Sequence, residues 1–206
     1  KGLRIFKEEG FAPGDIILTN DTETNGQHVN NMVAYSPIFA DGKLLAFAAV
    51  RSHWVDLGGM AVGSMPVNSR DIFSEGIQLP FLKVYRAGVE DEGILRLIRA
   101  NSRFPDLILG DMRAQISACR LGERRFLELI QRYGPQVVMA CIHRIWDEAE
   151  TIARRAVDAQ GHADGRAMVH LVGKGAVPED VDHAPHRLLG VVLHVVHVGT
   201  NHVEPE

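Results

Sequence analysis

The chain has 206 residues, 46% of them hydrophobic, which is enough to bury the core of one large or two small domains. Its formal net charge of −4 comes from interspersed acidic and basic residues, which excludes the strongly basic surface typical of nucleic-acid-binding proteins. The longest apolar run, from Leu188 to Val198, falls short of the ~20 residues needed to cross a bilayer.

The start of the chain and its two cysteines indicate a cytoplasmic piece of a longer protein. The charged opening "KGLRIFKEEG" leads into a turn and lacks the apolar segment of a signal peptide. Cys119 and Cys141 lie among apolar residues at helical spacing, so we expect two buried free thiols in a reducing cytoplasm. Because the first residue is Lys1 and not methionine, we expect a fragment.

Residues 11 to 60 have the pattern of β structure. The segment "DIILTN" predicts a short strand after a Pro-Gly turn, and "NMVAYSPIF" and "KLLAFAAVRSHW" predict a hairpin. Between these two strands, Asp41-Gly42 favours a type I′ turn, because that turn requires positive φ at both central positions.

Residues 58 to 90 are rich in Gly, Pro and Ser, and they predict a long ordered loop with a short strand at "FLKVYRAG". Residues 91 to 158 are predicted to be helical. The first helix has one apolar stripe, formed by Ile94, Leu97 and Ile98.

A second helix is predicted from Asp111 to the Gly134-Pro135 stop signal, and a third follows it. Their apolar sides are Met112, Ile116, Cys119, Phe126, Ile130 and Tyr133 in the second helix, and Val138, Cys141, Ile145, Ile152 and Ala156 in the third. The sequence therefore predicts an α+β fold, in which a sheet region containing a β-hairpin is followed by a helical region.

The last part of the chain has a different composition. From His162 to Glu206 it holds seven of the ten histidines and little periodicity beyond "LLGVVLHVVHV". This composition is compatible with a metal-binding tract, a weakly structured end or sequence foreign to the domain. We favour the last two, and we divide the chain into a core at 1–160 and a His-rich tail at 161–206.

The hairpin brings two histidines together. With Asp41 and Gly42 as the turn, His53 lies opposite Asn30, and directly opposed residues share a face. His28 is two residues from Asn30 and falls on the same face, so the two histidines become diagonal neighbours about 7–8 Å apart at the backbone. Two imidazoles at that range can converge on one ion, and zinc, manganese and iron are all compatible with such a pair.

Three residues near the histidine pair can supply oxygen ligands. Asn31 and Asp56 lie where each strand leaves regular geometry, and Asp21 follows the first strand. Simpler roles remain open for the two histidines and the two aspartates. The histidines can be mere cross-strand neighbours, Asp56 a turn residue before Gly58-Gly59, and Asp21 part of an Asx-turn.

Four blocks, in order from about Gly14 to Gly134, carry a family resemblance. They are "PGDIILTND", "GQHVNNM", "SPIFADGKLLAFAAVRSHWVDLGGMAVGSMPVNSRDIFSEGIQLP" and "LILGDMRAQISACRLGERRFLELIQRYG". Together they resemble the hydantoinase B/oxoprolinase family, the B-type subunits of N-methylhydantoinases, 5-oxoprolinases and acetone-type carboxylases. Members of this family are much longer than this chain.

The resemblance implies a divalent metal site. In the carboxylase branch a first H-x-x-D motif and a second histidine hold the metal, which carries over to His28, Asn31 and His53. Asn31 stands where the family usually has aspartate, whereas His53 and Asp56 match the second H-x-x-D. We take Asp56 and Asp21 as the candidate catalytic carboxylates.

The resemblance also implies a division of labour. An A-type partner subunit binds ATP and phosphorylates an amide or ketone oxygen, and the B-type chain completes the reaction. We therefore expect a subunit of an ATP-dependent cyclic amidohydrolase that opens rings of the hydantoin or 5-oxoproline type. The alternatives are a subunit of an ATP-dependent ketone carboxylase, and a non-catalytic fragment that retains only partner binding.

Overall fold

The computed structural model describes residues 1–25 and 28–159. The predicted His-rich tail at 161–206 lies outside the described residues. The elements are, in chain order, α1 (Gly2–Ile5), β1 (Ile16–Thr19), α2 (Thr22–Asn25), β2 (Asn31–Ala40), β3 (Lys43–His53), a 3-10 helix (Ile72–Glu75), β4 (Leu82–Arg86), β5 (Val89–Glu90), α3 (Glu92–Ala100), α4 (Pro105–Tyr133) and α5 (Pro135–Ala159). The predicted α+β class is confirmed.

The strands form one antiparallel sheet in the order β3-β2-β1-β4-β5. The central strand β1 is buried along its whole length, as its sequence of three aliphatic residues and a threonine predicts. The short strand β5 was not predicted. It returns along β4 through Ala87 and Gly88, both with positive φ, and alanine is rarely found in that conformation.

The hairpin between β2 and β3 has the predicted turn but a different register. Asp41 and Gly42 have φ values of 50° and 73°, as a type I′ turn requires. A β-bulge between Ile38 and Phe39 then shifts the pairing by one residue, so that His53 lies opposite Asn31. The prediction that His53 opposes Asn30 was wrong for this reason.

One face of the hairpin lies against α4 through a buried polar contact. The Gln115 side-chain amide donates to the backbone oxygens of Met32 in β2 and Val50 in β3, both at 3.1 Å. Its oxygen accepts a hydrogen bond from the Trp54 indole at 2.7 Å. Gln115 is only 3% exposed, so its polar atoms depend on these three partners.

The sequence prediction differs from the structure in the residue at which α4 begins and in the residues that α3 buries. The helix expected from Asp111 begins at Pro105, and its buried side includes Ile108 and Leu109. In α3 the buried residues are Leu95 and Ile98, whereas Leu97 is 45% exposed, so the predicted stripe was wrong at Leu97. The stop at Gly134-Pro135 is confirmed, because α4 ends at Tyr133 and α5 begins at Pro135.

The apolar side of α5 is largely exposed. Ile145 and Ile152 are 62% and 66% exposed, and Trp146 is 43% exposed. Cys141 is exposed as well, so the expected burial of both thiols is correct only for Cys119. Among the described residues, no helix is both long and apolar enough to span a membrane.

We expect the chain, when expressed alone, to self-associate through α5, because exposed apolar surface of this kind drives association. Replacing Ile145 and Ile152 by lysine should shift the population toward monomer in sedimentation-velocity experiments over a range of concentrations. Val89→Lys, at a 70% exposed position in β5, is the matched control and should leave association unchanged. A wild-type chain that remains monomeric at every concentration would contradict this expectation.

Candidate functional site

The two predicted histidines meet at one end of the hairpin. His28 precedes a turn at Val29 and Asn30 that leads into β2, and His53 is the last residue of β3. The centroids of their rings are 4.8 Å apart, with an angle of 51° between the ring planes. The predicted approach of the two imidazoles is therefore confirmed, although His28 lies just before a turn and not in a regular strand.

Asn31 lies beside this pair. It is the direct cross-strand partner of His53, so the two residues share a face of the sheet. Its backbone N–H also donates to the His28 carbonyl at 3.2 Å. The structure thus brings together His28, Asn31 and His53.

The residue types at this point limit how an ion is held. Within 1–25 and 28–159, no group of three or more His, Cys, Asp or Glu side chains is placed to hold a metal. The nitrogen- and oxygen-bearing side chains that meet at this point are two imidazoles and the carboxamide of Asn31. Imidazole suits zinc, copper, iron and nickel, and an amide oxygen is a neutral, harder ligand.

The electrostatics of the site favour a neutral imidazole at His53. Desolvation by the surrounding protein, and secondly the nearby His28, lower the pKa of His53, even though the residue is exposed. A histidine binds a metal ion through the lone pair of its neutral ring. A lowered pKa therefore leaves His53 in its ligating form at neutral pH.

Two buried asparagines that sequence reasoning did not single out hold the segments around the histidines. The Asn20 amide donates to the backbone oxygens of Val29 and Ile77, both at 2.9 Å, and its oxygen accepts from the Leu79 N–H at 2.7 Å. Asn30 makes comparable bonds to backbone oxygens further along the chain. From the sequence alone, asparagines at strand ends indicate only turns.

Asp56, a predicted catalytic residue, holds the glycine-rich loop. Burial would raise the pKa of its carboxyl, but hydrogen bonds from Arg103 and from backbone N–H groups lower it below its usual value. The carboxylate is 0% exposed and lies 2.7 Å from Nη1 of Arg103, whose backbone N–H donates to it at 2.8 Å. The Gly63 N–H is a further donor at 3.1 Å. A catalytic role for Asp56 stays a prediction.

Arg103 was not predicted, yet it ties this loop to the start of α4. Besides Asp56, its guanidinium donates to the backbone oxygens of Gly58, Gly59 and Ala61 at 2.6 to 3.2 Å. Gly58 and Gly59 both have positive φ, a conformation that glycine adopts readily, and both lie in the predicted glycine-rich loop. No sequence motif marks Arg103, because its partners lie more than forty positions earlier in the chain.

Asp21, the second predicted catalytic residue, lies at the start of α2. Burial would raise the pKa of its carboxyl, but hydrogen bonds from Lys1 and Thr24 lower it. Lys1 Nζ is 2.8 Å from the carboxylate. Burial and, secondly, the charge of Asp21 raise the pKa of Tyr35. These contacts hold Asp21 as an anion near Tyr35, and its catalytic role also stays a prediction.

An apolar cavity of about 250 Å³ occupies the same sheet face as the histidine pair. Tyr35 and Phe47 line it, and the ladder places both on the face of Asn31 and His53. Tyr35 lies four residues along the strand from Asn31, roughly 13 Å at about 3.4 Å per residue. The part of the cavity that Tyr35 lines is therefore well along the sheet from the two histidines.

We expect Arg103→Ala to lower the free energy of unfolding by about 3 kcal/mol, because a buried carboxylate would lose its charged partner. Chemical denaturation measures this change. Arg86→Ala, which removes an exposed partner of Glu9, is the control and should have little effect. A loss at Arg103 no larger than at Arg86 would contradict a structural role for the buried pair.

The same pair has a defined dependence on pH. Because the folded-state pKa of Asp56 is lowered, its carboxylate stabilises the fold above the unfolded-state pKa of about 3.9, and this contribution is lost as the pH falls through the folded-state value. The difference in stability between wild type and Arg103→Ala should therefore be constant near neutrality and shrink below about pH 4. Denaturation curves across that range measure the difference directly.

Comparison with known proteins places this geometry in context. The chain is 31% identical over 172 residues to the caprolactamase subunit beta of Pseudomonas jessenii, a match that covers 82% of this chain and 30% of that protein. It is 34% identical to 5-oxoprolinase 1 of Arabidopsis thaliana over 85% of its own length and 15% of that protein. The chain therefore spans less than a third of the length of these relatives.

Solved structures show the same fold. The crystal structure of ATP-dependent caprolactamase from Pseudomonas jessenii matches with a TM-score of 0.70 and 32% identity, over 75% of this chain and 27% of that chain. A nucleotide-free acetone carboxylase structure matches with a TM-score of 0.61 and 22% identity, over 65% and 17% of the respective chains, which is evidence for the fold alone. The model of the hydantoinase B/oxoprolinase family matches residues 2–188, and the chain belongs to that family.

Proposed function

We propose that this chain is part of a subunit of an ATP-dependent cyclic amidohydrolase that holds a divalent metal ion at His28, Asn31 and His53. The observation that carries the proposal is the pair of imidazoles 4.8 Å apart, with Asn31 directly opposite His53, in a member of the hydantoinase B/oxoprolinase family. The substrates we propose are small cyclic amides of the hydantoin or 5-oxoproline type.

The residues at the site fit a divalent ion of the zinc, manganese or iron class. His28 and His53 would supply ring nitrogens, and Asn31 an amide oxygen. When bound, such an ion supplies Lewis acidity for the hydrolysis of an activated amide. The neutral state favoured at His53 keeps its lone pair available without competition from a proton.

Contacts elsewhere in the chain support this proposal. Asp56 and Arg103 fix the loop that follows His53, and Asn20 fixes the backbone that follows His28. We propose that these contacts hold the two histidine-bearing segments at constant separation while substrate enters and product leaves. Pre-organised ligands of this kind avoid reorganisation during the reaction.

Activation of the amide is assigned to a partner. The caprolactamase relative is named as a subunit beta, which supports a complex of unlike subunits. We propose that an A-type subunit binds ATP and phosphorylates the amide oxygen, since an unstrained lactam carbonyl is a poor electrophile. We place the reaction in the cytoplasm, where ATP is available.

Sequence identity to known relatives favours an amidohydrolase over a ketone carboxylase. The caprolactamase and 5-oxoprolinase relatives exceed 30% identity, whereas the acetone carboxylase structure, at 22%, is similar in fold only. A chain that only binds its partner is the remaining alternative, because this chain covers 30% of the caprolactamase subunit. Turnover and partner binding separate these possibilities.

We expect Asn31→Asp to raise the affinity for manganese or zinc, because the substitution adds an anionic oxygen at the same reach. His53→Ala should abolish binding at this site, because one imidazole would remain. Isothermal titration calorimetry of the wild type, Asn31→Asp and His53→Ala measures both changes. Equal binding by all three, or binding by none, would show that the histidine pair is not a metal site.

The seven histidines beyond residue 160 require a control, since they can bind metal on their own. His143→Ala, which removes a histidine on α5, should leave the affinity at the site unchanged. A weak chelator in the buffer, at the same concentration for every variant, suppresses binding by scattered histidines. Because every variant has the same tail, a difference in affinity between variants then reports on the residue that was replaced.

With an A-type subunit present, we expect ATP-dependent ring opening of a small lactam, and loss of that activity in His53→Ala. A panel of hydantoins, 5-oxoproline and larger lactams, assayed by product analysis with and without ATP, measures the activity. A stable complex that turns over none of them would favour the partner-binding alternative. Carboxylation of a ketone in the same complex would favour the carboxylase.

A further inference from the structure

The side chain of Asn30 has an orientation that its neighbours fix. Its NH₂ group donates to the backbone oxygen of Trp54 at 2.8 Å and to that of Gly63 at 3.1 Å. Asn30 is 0% exposed, so water does not replace these acceptors. Because both protons of the amide are directed at carbonyl oxygens, the nitrogen and oxygen of the carboxamide are distinguished by their partners.

The oxygen of that carboxamide then faces His28. Asn30 Oδ1 lies 3.4 Å from Nδ1 of the imidazole. An amide oxygen is an acceptor only, and a neutral imidazole carries its single proton on one of two nitrogens. A lone pair on Nδ1 would repel the oxygen, whereas a proton on Nδ1 is attracted by it.

We propose that Asn30 is a positioning residue that holds His28 in the Nδ1–H tautomer and so leaves the lone pair of Nε2 free for a ligand. The separation of 3.4 Å is long for a strong hydrogen bond, so the effect is on the choice of tautomer and the direction of the ring. Metal-binding histidines commonly have an acceptor on their second ring nitrogen for this purpose.

Asn30 is well placed to act on both histidines at once. Besides its side-chain bond to Trp54, its backbone oxygen accepts from the Trp54 N–H at 2.9 Å. Trp54 directly follows His53 and is fully buried. This double contact holds the end of β3 against Asn30. The Asn30 side chain thus determines the direction of the His28 ring, and its backbone contact secures the segment that carries His53.

The Nδ1–H tautomer of His28 does not require a bound metal ion. The effect of this tautomer on metal affinity rests on the proposed function. Loss of such an acceptor typically costs 10–100-fold in metal affinity. Different measurements on the same 206-residue chain test the tautomer and the metal affinity.

The first measurement is ¹⁵N NMR of the histidine rings in metal-free protein, at a pH where the rings are neutral. A His28→Gln spectrum identifies the signals of His28 among the ten histidines. We expect a pyrrole-type Nδ1 and a pyridine-type Nε2 for His28 in the wild type. A proton on Nε2 in the wild type would overturn the proposal, whatever the behaviour of any variant.

Two substitutions then distinguish orientation of the His28 ring by Asn30 from simple support of the surrounding backbone. Asn30→Asp keeps an acceptor opposite Nδ1 but loses the donors to Trp54 and Gly63, whereas Asn30→Ala loses both. We expect Asn30→Asp to retain the Nδ1–H tautomer and Asn30→Ala to release it, with circular dichroism used to confirm that each is folded. Release of the tautomer in folded Asn30→Asp as well would overturn the role of the oxygen.

The second measurement is the affinity for Mn²⁺ and Zn²⁺ by calorimetry. We expect a loss of about 10–100-fold in Asn30→Ala. An unchanged affinity, in a protein whose His28 has lost the Nδ1–H tautomer, would overturn the link to ligation. A wild type that binds no metal but shows Nδ1–H at His28 would instead refute the proposed metal site and leave the tautomer assignment intact.

Discussion

The antiparallel pairing of β2 with β3 is the constraint on which the candidate site depends. Since successive side chains of a strand point to opposite faces, a slip of one residue would exchange the two faces of the hairpin. In the observed register, the face of Ala34 and Val50 is turned toward α4, and the face of Asn31 and His53 is turned away from it. Gln115 bonds to backbone oxygens of both strands and is buried with them. Packing against α4 therefore secures the register that places Asn31 opposite His53.

The hairpin itself could be predicted from local chemistry, but its exact register could not. Asp41-Gly42 determines the turn because both residues tolerate positive φ. The bulge between Ile38 and Phe39 has no comparable signature, since it depends on how the two strands pack along their length. The prediction nonetheless brought the right histidines together, because the turn at Val29 and Asn30 directs His28 toward His53 from outside the strand. The two rings therefore meet even though the pairing departs from regular geometry at two points.

Long-range contacts account for most of what the sequence did not reveal. Periodicity located α3, α4 and α5, but it did not determine which apolar residues are covered, as the exposure of Leu97 and Cys141 shows. Arg103 and Asn20 have no local motif, and their partners lie far away along the chain. The hairpin pattern and the family resemblance each located the candidate ligands and the neighbouring carboxylates. Neither indicated that Asp56 and Asp21 are each bound to a cation, Arg103 and Lys1 respectively.

The charge of the proposed site follows from these pairings. His28, Asn31 and His53 are neutral donors, and the carboxylates of Asp56 and Asp21 are already balanced by cations. In the proposed site these residues would leave the charge of a divalent ion largely uncompensated, and a neutral donor set of this kind favours an anionic ligand at the open positions. An amide activated by phosphorylation is such a ligand, whereas the free lactam is neutral. In the proposed reaction, the aspartate usual in the family at position 31 would reduce this preference, so asparagine there would make the site more dependent on the negative charge of a phosphorylated substrate.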